Sequence, residues 1–131
     1  MFNPMEEKLK KAFAELKNQD KLQIEFAYLF GSYAQGTQTP SSDIDVAVYF
    51  SSEPSVDDEL SMHVFLTKQL KTDRIDLLVL NRAKNLILLE EIVRNGKVVY
   101  DKNSELRKMF EYKIIHSAID FKTQRKVFAG R

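Results

Sequence analysis

The chain has 131 residues, of which 44% are apolar and 30% charged, and its formal net charge is +1. This balance indicates one globular domain with a single core, and the near-neutral charge argues against direct nucleic-acid binding. With no cysteine, a disulfide framework and a thiolate metal site are excluded. No apolar run is long enough for a membrane span or a signal peptide, so we expect a cytoplasmic protein without a membrane partner.

Helical and strand patterns alternate along the chain, which predicts an α/β or α+β architecture. Ser55 and Asp58 have the spacing of a capping box, which indicates where one helix begins. The predicted elements are a helix from Met5 to Asn18, a strand at Ile24–Phe30, a turn or short helix and loop over Gly31–Ser42, a strand at Asp43–Phe50, a helix from Ser55 to about Leu70, a strand at Arg74–Leu80, a helix capped by Asn81 and ended by Gly96, an edge strand at Lys97–Tyr100, and a long helix from Ser104 to about Phe128.

The long last helix has more apolar surface than one face needs. One stripe is formed by Leu106, Phe110, Ile114 and Phe121, and a second by Tyr112, Ile115 and Ile119. Either both stripes are buried in a small core, or the second is an interface. Residues 101–131 also hold eight Lys and Arg against four Asp and Glu, which indicates a solvated basic face or a docking surface for an acidic partner. We therefore divide the chain into a domain at 1–100 and a docking extension at 101–131.

Three aspartates stand in otherwise apolar strands. Asp43 and Asp45 alternate with Ile44 and therefore point to one face, while Asp76 has the same setting in "RIDLLVL". If the two strands are neighbours, three carboxylates converge and repel one another unless cations neutralise them. Mg²⁺ prefers such oxygen ligands, and two metals can catalyse displacement at phosphorus. The alternative is a strand end with solvated acids.

The pair Gly31-Ser32 lies at the end of the first predicted strand. Glycine allows close backbone approach, while amides at a helix start and the serine hydroxyl can donate to a phosphate. Donors for a triphosphate opposite carboxylates for its metals would form the two halves of a nucleotide site. A plain turn is the alternative for this pair considered alone.

Gly31-Ser32, ten intervening residues and Asp43-Ile44-Asp45 reproduce the G-S-x10-D-x-D signature of nucleotidyltransferases of the DNA polymerase β superfamily. The chain resembles the minimal members, the MntA-like antitoxins paired with HEPN-domain toxins. That resemblance implies a polymerase β-like fold, a small mixed sheet flanked by helices plus the long C-terminal helix.

The resemblance also implies roles for particular residues. Asp43 and Asp45 would bind two Mg²⁺ ions, and Asp76 would complete the first metal site and help to deprotonate the attacking hydroxyl. Gly31 and Ser32 would hold the β- and γ-phosphates of ATP. Many relatives have Arg at the position of Gln35, so the absence of that positive charge predicts weaker binding of the ATP phosphates. Three bases are open candidates for triphosphate contacts: Lys68, Lys71 and Arg74. His63 and His116 are interpreted as structural or surface residues.

The function implied by the resemblance is transfer of AMP from ATP to a tyrosine of a HEPN (HepT-like) toxin, which silences the toxin. A second, acceptor-binding domain does not fit in 131 residues, so we expect the acceptor to come from another polypeptide. Two alternatives stay open. The chain could be a catalytically weak module that neutralises a toxin by binding it, which Gln35 favours. It could also modify a small aminoglycoside-like hydroxyl compound, in which case a homodimer would build the pocket.

Overall fold

The computed structural model describes residues 2–16 and 22–129, with side chains described as far as residue 124. Its elements follow the predicted order closely, apart from the end predicted for the first helix, which lies outside the described residues. They are α1 (Pro4–Leu16), β1 (Ile24–Phe30), α2 (Ser32–Gln35), β2 (Ile44–Phe50), α3 (Val56–Leu70), β3 (Ile75–Val79), a 3-10 turn (Leu80–Arg82), α4 (Leu86–Asn95), β4 (Lys97–Asp101) and α5 (Ser104–Ala129).

The four strands form one mixed sheet in the order β3-β2-β1-β4. β1 pairs antiparallel with both β2 and β4, whereas β2 and β3 are parallel and are connected by α3. A parallel pair needs such a crossover, and the crossover brings the beginnings of both strands to the same end of the sheet. The sheet with helices on its faces confirms the predicted α/β fold class.

Each face of the sheet is covered by helices and has its own apolar cluster. On one face, α1 and α3 contribute Leu9, Phe13, Met62 and Leu66, which pack against the even-numbered residues of β2, such as Val46 and Val48. On the other face, Leu89 and Ile92 of α4 pack with Phe26, Tyr28 and Ala47. Burial on both faces explains why the central strands read as nearly continuous apolar runs.

The helix α5 is fixed to this second face by polar and aromatic contacts. The Tyr28 hydroxyl, only 1% exposed as a residue, donates to Glu111 Oε2 at 2.6 Å, and Arg107 joins Glu111 to Asp101. Burial, and then the bond to Glu111, raise the pKa of Tyr28, so the phenol stays protonated. The ring of Phe110 also contacts Phe26 at 5.5 Å between centroids. These contacts fix which face of α5 turns inwards.

The predicted stripes of α5 differ in burial. Leu106, Phe110 and Ile114 pack against the second cluster, and Ala118 is 2% exposed. In contrast, Tyr112 is 65% and Ile119 52% exposed, so burial of both stripes is wrong. Phe121 continues the inward stripe after Ala118 and lines a cavity with Leu86 and Ile87 of α4, although it is 44% exposed. The outward face of α5 is therefore apolar as well as charged.

Asn81 does not cap a helix, which corrects one prediction. It lies in the 3-10 turn after β3, where its side chain accepts from the Phe50 N–H and donates to the Phe50 carbonyl, both at 2.8 Å. Asn85 caps α4 instead, because its Oδ1 accepts from the Leu88 N–H at 3.2 Å. Because the 3-10 turn lies between β3 and α4, the helix begins later than predicted, and its N-cap is four residues after Asn81. Gly96 does end α4, and the capping box of α3 is confirmed.

Across the part of the chain that the structure describes, no helix combines the length and the apolar composition needed to cross a bilayer.

Candidate active site

The aspartates of β2 and β3 meet at one end of the sheet. Asp45 and Asp76 are direct partners in the parallel register, so the expectation that their strands are neighbours is confirmed. By alternation, both side chains share the sheet face of Ala47 and Leu78. Asp43 lies one residue before β2 and is exposed, as is Asp76, while Asp45 is half-buried between them and β1.

The electrostatics of Asp45 show how closely these acids approach one another. Its pKa is raised from an ordinary 3.8 to about 6, first by burial, then by the charges of Asp76 and Asp43. A hydrogen bond with Asp76 adds to the same shift. Among the described residues, no Lys or Arg charge contributes to this shift, so no basic side chain offsets the Asp45 carboxylate. Above about pH 6 Asp45 is therefore charged, and no basic side chain offsets its repulsion with Asp76 and Asp43.

The chemistry of this donor set fits a hard divalent cation. Three carboxylates at a partly exposed position provide the oxygen ligands that Mg²⁺ prefers. Within the described ranges, however, no group of three or more His, Cys, Asp or Glu side chains is arranged as a finished metal site. Asp45 would have to be deprotonated before both carboxylates could bind one ion.

Gly31 makes room for Asp45. The glycine follows β1 with φ 73° and ψ −152°, a combination that is essentially restricted to glycine. A Cβ at this position would overlap the Asp45 Oδ2 atom. The Gly31 carbonyl accepts the N–H groups of Ala34 and Gln35, each at 3.1 Å, which starts the single turn of α2. Thus the residue that begins this turn is in contact with the central carboxylate.

The remaining sequence candidates have different settings. Ser32 is half-buried at the first position of α2, and Gln35 is exposed at its last. The side-chain amide of Asn3 donates to the Tyr33 carbonyl at 2.9 Å and ties α2 to the start of α1, a contact that no sequence signal indicated.

The basic and histidine candidates also separate. Lys68 and Lys71 are exposed at the end of α3, whereas the Arg74 guanidinium donates to the Ser41 carbonyl at 2.7 Å, immediately beside the acids. His63 is half-buried with Nε2 3.1 Å from the Ile75 carbonyl, and His116 is exposed, 4.8 Å from the Tyr112 ring. The burial of both histidines agrees with their interpretation as structural or surface residues, and the absence of a catalytic role stays a prediction.

A pair of glycine variants tests the contact between Gly31 and Asp45. Gly36 also has a positive φ, 76°, but a Cβ there meets nothing within 4 Å. We expect Gly36→Ala to lower the free energy of unfolding by about 1 kcal/mol, the cost of the left-handed conformation alone. Gly31→Ala adds both the overlap with the carboxylate and a backbone combination less favourable than the left-handed one, so it should cost about 2–3 kcal/mol. Urea unfolding of both variants measures the difference, and equal losses would show that Asp45 does not crowd Gly31.

The raised pKa of Asp45 predicts that this carboxylate destabilises the metal-free fold. The native state binds more protons than the unfolded state between about pH 4 and pH 6, so this contribution to stability is lost as the pH rises through 6. Asp45→Asn cannot ionise. Allowing for solvent screening, we expect its Tm to be about 2–4 °C higher than that of the wild type at pH 7.5 without metal, and equal to it near pH 4.

The matched control is Asp120→Asn on α5, which removes an exposed charge elsewhere and should leave the Tm unchanged. Thermal unfolding at the two pH values is sufficient for the comparison. A Tm for Asp45→Asn at or below the wild-type value at pH 7.5 would contradict the account of the repulsion.

Comparisons with known proteins identify the family and the fold. Residues 7–105 match the family model of the polymerase beta nucleotidyltransferases. Over 87 residues the chain is 36% identical to the protein adenylyltransferase MntA of Shewanella oneidensis, an alignment covering 63% of this chain and 57% of that protein. The match thus spans less than two thirds of the length of that relative.

Two solved structures are similar over nearly the whole chain. One is a toxin–antitoxin crystal structure with AMP-PNP, in which the matching chain is 30% identical, with a TM-score of 0.70 and 95% of each chain covered. The other is a tri-AMPylated Shewanella oneidensis HEPN toxin in complex with its MNT antitoxin. It has a TM-score of 0.69 over 95% of this chain and 96% of that one, and at 22% identity the likeness concerns the fold alone.

The family model covers the whole sheet, most of α1, and α2 to α4, including the turn at Gly31 and the strands that bring Asp45 and Asp76 together. This chain belongs to the polymerase beta nucleotidyltransferase family.

Proposed function

We propose that this chain is a protein adenylyltransferase that transfers AMP from ATP to a tyrosine hydroxyl of a partner HEPN toxin and so acts as an antitoxin. The observation that carries the proposal is the meeting of Asp43, Asp45 and Asp76 beside the Gly31 turn. Support comes from the relatives: one is named a protein adenylyltransferase, and another was solved as a toxin–antitoxin complex with an ATP analogue.

The carboxylates would hold Mg²⁺ together with the triphosphate. Asp43 and Asp45 are the proposed ligands of both ions, and Asp76 completes the set on the neighbouring strand. When bound, the metal supplies charge neutralisation at the phosphates and lowers the pKa of the attacking hydroxyl. The raised pKa of Asp45 is the local sign that this site has a surplus of negative charge, which a cation would offset.

The transfer step then needs little from the protein beyond position and a proton acceptor. The tyrosine oxygen forms a bond to the α-phosphorus of ATP, and the bond between that phosphorus and the oxygen leading to the β-phosphate breaks. Pyrophosphate leaves with the electron pair, and the hydroxyl proton passes to the carboxylate of Asp76. Gly31 and Ser32, at the start of α2, hold the β- and γ-phosphates through backbone and hydroxyl donors.

A binding-only antitoxin is the second candidate, and one residue favours it. Gln35 is exposed at the end of α2 and brings no charge to the phosphate side of the site. In that case the chain would neutralise its partner by covering it, and the carboxylates would be dispensable for protection. The two candidates therefore differ in what a variant without the carboxylates does in cells that produce the toxin.

The decisive test uses one double variant, Asp43→Asn/Asp45→Asn, which removes two carboxylates and leaves the strands intact. The wild type, ATP and MgCl₂ are incubated with the protein encoded by the adjacent open reading frame, and the intact mass of that protein is measured. We expect one or more added AMP units with the wild type and none with Asp43→Asn/Asp45→Asn, because the metal ligands are gone.

The control Glu15→Gln/Asp57→Asn removes two exposed charges from α1 and α3 and should transfer AMP normally. An unchanged partner mass with verified ATP binding would contradict the proposal, as would normal transfer by Asp43→Asn/Asp45→Asn. If that variant also protects cells as well as the wild type does, the binding-only candidate is favoured.

We propose further that the extension at 101–131 docks the partner through the outward face of α5. Met109, Tyr112, His116 and Ile119 recur at three- and four-residue spacing and are all exposed, with Met109 at 63%. This spacing is typical of a seam between two helices. Lys108 and Lys113 lie beside the seam and give it a positive margin. The partner surface that fits is an apolar helix with acidic flanks.

Loss of the exposed apolar side chains should weaken the complex without touching the nucleotide site. We expect Met109→Ser/Ile119→Ser to raise the Kd for the partner at least about tenfold, because apolar contacts at the centre of an interface carry most of its affinity. ATP binding should stay unchanged. Val56→Ser/Leu60→Ser removes comparably exposed side chains from α3 and is the matched control. Equal affinities of the two double variants, measured by calorimetry, would rule out docking through this face.

A further inference from the structure

The loop that leads into Asp43 is tied to the start of β3 by a single residue, Arg74. Its Nη1 donates to the Ser41 carbonyl at 2.7 Å, and its own carbonyl accepts the Ile44 N–H at 2.8 Å. Asp43 therefore lies between two bonds that both end on Arg74. Because β2 begins only at Ile44, the strand ladder does not itself hold the backbone of Asp43.

Both sides of this connection are themselves fixed. On the loop side, the Thr39 N–H donates to Ser42 Oγ at 2.8 Å, and the Ser42 N–H donates to the Thr39 carbonyl at 3.0 Å. On the strand side, the Arg74 N–H donates to Thr72 Oγ1 at 3.1 Å. The bond from Arg74 to Ser41 thus connects the hydrogen-bonded turn at residues 39–42 to the hydrogen-bonded residues that precede β3.

Arg74 connects the two segments that carry the outer carboxylates. Its contact is with the loop backbone, two residues before Asp43 in the chain, while Arg74 itself lies two residues before Asp76. The same residue therefore links the backbone positions of the two outer carboxylates.

We propose that Arg74 is a positioning residue that holds Asp43 in place relative to Asp76 and so sets the carboxylate arrangement that receives the divalent cation. This inference rests on the proposed metal-binding role of the three aspartates. Arg74 is exposed and its bond to Ser41 lies at the surface, so its removal changes global stability little. Removal of groups that orient metal ligands typically costs about 10- to 100-fold in metal affinity.

The test measures Mn²⁺ binding by electron paramagnetic resonance, together with amide hydrogen exchange of residues 37–44 in the metal-free protein. For Arg74→Ala we expect about tenfold weaker Mn²⁺ binding, faster exchange confined to 37–44, and a Tm within about 2 °C of the wild type. Arg74→Lys keeps a donor on a long stem and should recover part of the affinity. Ser41→Gly loosens the same loop without changing any charge and should also weaken Mn²⁺ binding.

The matched control is Arg94→Ala, which removes an exposed guanidinium from α4 and should leave Mn²⁺ affinity unchanged. If Arg74 acted only through its charge, Arg74→Ala would bind Mn²⁺ more tightly, and that result would overturn the inference. Unchanged exchange at 37–44 would overturn it too. If the wild type bound Mn²⁺ and Arg74→Ala bound it equally well, this inference alone would fail. A wild type that bound no Mn²⁺ would overturn the proposed metal site and this inference with it.

Discussion

The parallel pairing of β2 and β3 forces two carboxylates into direct opposition at one end of the sheet, with a third just before β2. Like charges at adjacent positions are unfavourable, and here no basic side chain offsets them at Asp45. Most carboxylates in folded proteins either reach water freely or acquire a basic partner. The persistence of a carboxylate without a basic partner between two other acids is the physical reason to expect a cation at this place, since its charge destabilises the empty fold above about pH 6.

Several otherwise separate features follow from the need to hold these acids together. Gly31 lacks the side chain that would collide with Asp45, and the antiparallel partner β1 brings that glycine to the site. The crossover helix α3 is needed for the parallel pair, and both ends of α3 are closed by caps. On the same sheet face, Tyr28 pairs with Ala47, two residues along β2 from Asp45, and together with Phe110 it fixes α5. The sheet thus joins the carboxylates to the helix that we propose docks the acceptor protein.

Much of this arrangement could be predicted from the sequence, because it depends on the two-residue alternation of strands and on short motif spacings. Strand alternation places Asp45 and Ile44 on opposite faces whatever the tertiary structure, and the apolar strand around Asp76 marks a second such position. The spacing from Gly31-Ser32 to Asp43 identified the family. The sequence could not show that β2 and β3 are parallel neighbours, since no local pattern specifies which strands pair. The structure was needed for that.

What could not be predicted depends on side chains that reach across the chain. Asn81 has the right residue type for a helix cap, but a 3-10 turn intervenes and its amide completes the pairing of Phe50 instead. The bond from Arg74 to Ser41 depends on the closure of a loop 33 positions away in sequence. The division of α5 into an inward and an outward face depends on which stripe meets Phe26 and Tyr28. Consequently Met109 belongs to the exposed seam, although the sequence pattern did not include it.

The central claim is that Asp45 carries an unrelieved negative charge that a divalent cation neutralises. The most direct measurement is a pH titration of the Asp45 side-chain carboxyl by NMR, with and without MgCl₂. The account predicts a midpoint at about pH 6 in the metal-free protein and a clearly lower midpoint once Mg²⁺ is present. A midpoint near the ordinary value of 3.8 that does not respond to Mg²⁺ would contradict it.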